Sequence, residues 1–66
     1  EIHDLWLSKA VAMRQKDIEF CRALARRHLV QPEILRRRFV DLVGIAETQR
    51  SRVASFIDSV SGSDQT

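Results

Sequence analysis

The chain has 66 residues, 30% of them charged and 44% hydrophobic, with a formal net charge of +2. That length allows one domain, and a domain this small buries only about 60% of the surface its unfolded chain exposes. A single cysteine excludes a disulfide framework. No stretch approaches the ~20 apolar residues of a membrane span. Cys21, His3 and His28 are too scattered to supply the about four ligands of a structural zinc site. No metal or other cofactor is expected, and oligomerisation remains as the device to support a small core. The lone cysteine and the lack of a signal-peptide pattern fit an intracellular setting, cytoplasmic or nuclear.

Residues 2–28 predict one long amphipathic helix. At about 100° per residue, Ile2, Trp6, Ala10, Met13, Phe20 and Leu24 share one stripe. Leu7, Val11, Ile18, Cys21 and Ala25 form a second stripe beside it. Asp17 interrupts this apolar side. A buried carboxylate needs a partner; Arg14 or Arg38 could provide it, or Asp17 could set specificity at a dimer seam. Pro32, the only proline, is favoured in the first turn of a helix, so the chain is expected to break at residues 28–31 and resume as a second helix over residues 32–60. There Leu35, Phe39, Leu42, Ala46, Gln49, Val53, Phe56 and Val60 follow the alternating spacing of a coiled-coil seam. Gln49 is its polar interruption, with an amide able to pair across an interface. Gly44 either marks close packing or kinks or splits this helix. Residues 61–66 are polar, with Gly62 just past the last periodic position, and predict a disordered tail.

Two helices joined by a tight connection run antiparallel. The expected fold class is therefore all-α: an antiparallel two-helix hairpin over residues 1–60. Leu24 would face Leu35, Phe20 would face Phe39, Met13 would face Ala46 and Trp6 would face Val53. A hairpin needs only one stripe per helix. Leu7, Val11, Ile18, Cys21 and Ala25 are left over, and exposed apolar stripes of this size mark interfaces. The expectation is a homodimer closing into a four-helix bundle, or a partner protein's helix docked on the same stripe.

Nine of the eleven basic residues are arginine, whose planar fork binds phosphate and carboxylate bidentately. In a hairpin Arg22, Arg26, Arg27, Arg36, Arg37 and Arg38 converge at the turn, with Glu1, Asp4 and Asp58 at the far end. Such a tip suits nucleic-acid phosphate, an anionic membrane surface or an acidic protein patch. Residues 24–39, with Gly44 beyond, resemble the second DNA-binding motif of AraC-type regulators in the spacing of Ala25, Leu35, Phe39 and Gly44. Leu29 stands where that motif has glycine, and no short helix is expected before it. The resemblance implies a helix-turn-helix using the same arginines.

Cys21 and His28 are seven positions apart, about 10 Å along a helix, too far for a nucleophile–base pair. Phosphate loops, zinc-protease motifs and catalytic triads find no match in the sequence. The sequence therefore reads as a non-enzymatic helical oligomerisation or protein-interaction module with an arginine-rich tip. The alternative is a nucleic-acid-binding regulatory protein.

Overall fold

A computed structural model describes residues 1–62. These residues are all-helical: α1 (Ile2–Ala12), α2 (Gln15–Arg26), α3 (Pro32–Val40) and α4 (Glu47–Gly62). Four short helices thus stand where two long ones were expected. The longest dimension is 32 Å, whereas a helix over residues 2–28 would alone span about 40 Å. The Cα radius of gyration, 10.8 Å, is the ~11 Å of a folded single chain of this length. The expected tail lies mainly outside the described residues, although α4 carries helix through Gly62.

The first helical segment breaks at Met13 and Arg14. Met13 is left-handed, with φ 56°, and its N–H bonds the Lys9 carbonyl at 3.1 Å, which is the five-to-one bond of an αL helix end. Arg14 is extended and starts α2. Asp17, three residues on, is 3% exposed and accepts a 2.9 Å hydrogen bond from Arg14 Nε. Its carboxyl is held below the usual carboxylate range, first by that side-chain bond and also by the charge and backbone N–H of Arg14, which together outweigh burial. Of the partners the sequence offered, Asp17 thus takes Arg14, as an N3 residue that reaches back over its own helix start.

The second segment breaks where Gly44 had marked a candidate split. Gly44 has φ +80°, open to glycine and strained for other residues. α4 then begins with half of a capping box: the Gln49 side-chain oxygen accepts from the Ala46 N–H at 3.0 Å. Gln49, the polar interruption of the seam, is likewise an N3 residue. Arg50 secures the connection by donating to the Leu42 carbonyl at 2.7 Å and lying 5.3 Å over the Phe39 ring.

α2 ends in a complete Schellman motif. The His28 N–H bonds the Ala25 carbonyl at 3.0 Å, and the Leu29 N–H bonds the Leu24 carbonyl at 3.0 Å. His28 takes the left-handed position, with φ 60°. α3 starts at Pro32, as the sequence predicts.

α1 and α4 pack on each other and each on both remaining helices, so they form a central pair flanked by α2 and α3. Breaking the first segment lets both of its apolar stripes serve one core. Trp6, Leu7, Ala10 and Cys21 are buried together with Leu35, Val53 and Ile57. Trp6 stacks on Phe56 with centroids 5.2 Å apart, one turn along from the expected Val53. Its indole N–H donates to the Cys21 carbonyl at 2.9 Å, and the Cys21 thiol donates back to the Trp6 carbonyl at 3.4 Å. α2 and α3 do not meet, so the facings of Leu24 with Leu35 and of Phe20 with Phe39 are not made.

Candidate interaction surfaces

Of the second-stripe residues, Leu7 and Cys21 lie in the chain's own core. Val11, Ile18 and Ala25 remain half-buried and turn toward different surfaces. Val11 lines a groove of about 320 Å³ with Leu7, Leu42, Asp4 and Ser8. The chain next to Leu42 exposes Val40 and Val43, at 74% and 86%. Ile18 lines a separate, more open groove of about 440 Å³ between α2 and α4, with Met13 and Phe56 as its other apolar members. Ala25 borders a smaller cavity at the α2–α3 turn with Val30, Leu35 and Val60.

The arginines do not converge as a hairpin would have them. The first turn of α1 lies across α3, which brings the acids expected at the far end onto the expected tip. Arg38 donates to both carboxylate oxygens of Asp4 at 3.2 Å and pairs with Glu1 at 3.2 Å. Arg36 pairs with Asp58 at 3.0 Å and donates to the Ser61 hydroxyl at 2.9 Å. The end-to-end charge polarity of a hairpin is thereby lost. Arg26, Arg27 and Arg37 are exposed and make no ion pair among the described residues. Arg22 sits 5.9 Å over the Phe56 ring at the edge of the α2–α4 groove. A helix-turn-helix packs its two helices across the turn, and α2 and α3 do not pack, although α1 does supply a short helix before them.

The groups capable of chemistry are engaged in structure. Cys21 is fully buried, and burial, with the charge of Asp17 adding to it, pushes its thiol up to about 12, so at neutral pH it is a packed thiol and not a nucleophile. His3 is buried, at 7% exposed. Its Nδ1 lies 3.0 Å from Glu1 Oε1, and its Nε2 accepts the Gln31 N–H at 3.0 Å. That pattern assigns the proton to Nδ1. Glu1, which caps α1, has its carboxyl lowered, chiefly by the backbone N–H of His3. Among the described residues every buried side-chain polar atom has a partner, and no three His, Cys, Asp or Glu gather as metal ligands. No described helix is long and apolar enough to cross a membrane.

Sequence reasoning missed Arg50 and Arg52. Arg50 stands four residues after Ala46 and could have been read as first-turn support for a helix beginning near Gly44. Comparison of the chain with family models, with curated proteins and with solved structures finds no match.

Proposed function

We propose that this domain is a non-enzymatic helical protein-interaction module that associates with a second copy of itself. One observation carries the reading: Val11, Leu7 and Leu42 line a groove, and the chain on either side of Leu42 exposes Val40 and Val43. A two-fold interface must complement itself. An apolar face does so, whereas a face of one charge repels its copy. Covering it would also support a core that is small for a free-standing domain. The interface proposed from the sequence thus narrows to Val11 and gains Leu42 and Val43, because Leu7 and Cys21 are spent inside the chain and Ile18 and Ala25 turn toward other surfaces.

Sedimentation at micromolar concentration tests this. The protein should sediment as a dimer, and Val11→Glu and Val43→Glu should each give monomer with helix content preserved. A monomeric parent protein, or a dimer that survives both substitutions, would overturn the reading. The nucleic-acid alternative draws on Arg26, Arg27 and Arg37. It has less support, since Arg36 and Arg38 are committed to Asp58, Asp4 and Glu1.

A further inference from the structure

The geometry points to a second docking site, independent of self-association: the groove between α2 and α4 receives an amphipathic helix of a partner protein whose apolar stripe is flanked by acidic residues. The floor of the groove is apolar. Phe56 is 8% exposed and held from beneath by the Trp6 stack, and Met13 and Ile18 are half-buried around it. Both lips carry positive charge, Arg22 from α2 and Arg52 from α4. Arg22 continues into Arg26 at the i+4 position of the same helix row. Arg52 makes no ion pair among the described residues, and the hydrogen bonds of the described residues leave Arg22 only its contact with the Phe56 ring.

This charge distribution selects the occupant. A second copy would bring its own arginines against these and be repelled. An acidic helix would pair carboxylates with both lips while its stripe covers Phe56. The groove follows α2 from Ile18 to Arg22 and α4 from Ser51 to Phe56, a run of about 6–8 Å, or more than one helical turn. It therefore takes apolar anchors at i and i+3 or i+4, with acids on both sides of them. This is helix-in-groove recognition, with α2 and α4 as the walls.

Trp6 provides the readout. It is the only tryptophan and stacks on the residue that floors the groove, so an occupant should change its fluorescence. The probe is a displayed library of helical peptides of about four turns, ~15 residues, with randomised apolar and flanking positions, selected on the intact protein. The expected result is enrichment of large apolar residues at i and i+3 or i+4 with Asp or Glu beside them. Enriched peptides should shift Trp6 emission and weaken with salt.

Changing the acids of a selected peptide to Gln should cost at least about tenfold in affinity, ~1.4 kcal/mol, without touching the fold of the protein. The double variant Arg22→Glu with Arg52→Glu should lose that peptide and gain a version carrying Lys in place of its acids. Three results would each overturn the proposal. One is a selection that yields neutral or basic flanks. Another is a peptide whose binding ignores both the acid-to-Gln change and the charge swap. The last is duplex DNA outcompeting the selected peptide through Arg22 and Arg52. None of these outcomes depends on Val11 or Val43, so failure of self-association leaves this test standing.

Discussion

Replacing His28 with glycine should make the domain more stable, although the substitution deletes a side chain and adds no contact. His28 occupies the left-handed position of the Schellman motif closing α2, with φ 60°. For a residue with a β-carbon that conformation costs roughly 1–2 kcal/mol. Glycine removes the cost but gives back about 0.5–1 kcal/mol in the entropy of the unfolded chain. The His28 side chain is exposed and takes part in no hydrogen bond among the described residues, so little else enters the balance. The net gain of ~0.5–1 kcal/mol corresponds to a rise in Tm of about 2–8 °C for a domain of this size. Thermal unfolding followed by circular dichroism measures it. Leu29→Gly is the control. Leu29 follows the left-handed residue, and the apolar contact that usually accompanies the motif would join it to Leu24, so Tm should fall. A lower Tm for His28→Gly together with a higher one for Leu29→Gly would move the left-handed residue to position 29 and refute the assignment of the turn.

Gly44→Ala should destabilise the domain by about 1 kcal/mol or more. A β-carbon there would meet nothing within 4 Å, so the loss would come from backbone conformation alone, and an unchanged urea midpoint would place Gly44 outside the left-handed region. Acid should weaken the fold through Glu1 and Asp17. Their carboxyls are lowered in the folded state, so the stability they contribute is present above the ordinary values of 4.5 and 3.8 and is lost as pH falls through the lower folded values. Asp17→Asn should reduce stability at neutral pH and flatten this acid limb in urea titrations; an acid limb parallel to that of the parent protein would remove Asp17 from the account.

The sequence carried the helical class clearly, because apolar spacing near 3.6 runs through both segments and Pro32 marks one helix start without ambiguity. It also marked the α3–α4 connection, since Gly44 is the one glycine inside the second segment. The break at Met13 and Arg14 was hidden by propensity: both are good helix formers, neither punctuates a sequence, and the apolar period carries across them. A missed break in the first segment changes everything downstream. It puts Leu7 and Cys21 of the leftover stripe into the core, folds Asp4 back onto Arg38, and divides the rest of one expected interface among three surfaces. The candidate surfaces were legible only as residue types, apolar and arginine. Which arginines stay free depends on where Glu1, Asp4 and Asp58 come to lie, and the chain order does not state that.

The two polar residues that interrupted the apolar stripes, Asp17 and Gln49, share one explanation. Each is the third residue of its helix, and each accepts a hydrogen bond from the residue capping that helix, Asp17 from the Arg14 side chain and Gln49 from the Ala46 backbone N–H. A polar break three residues into an otherwise apolar stripe is therefore better read as a helix start than as a device for setting register between copies. α3 tests the rule by lacking the residue: its third position is Ile34, which cannot accept a hydrogen bond. The N–H of its cap, Gln31, is accepted by His3 from α1 instead. The α3 start, unlike those of α2 and α4, thus depends on a partner 28 residues away in the chain. α2 and α4 can begin from local sequence, whereas α3 has its cap only once α1 is in place, and the histidine is buried because that cap lies under the first turn of α1.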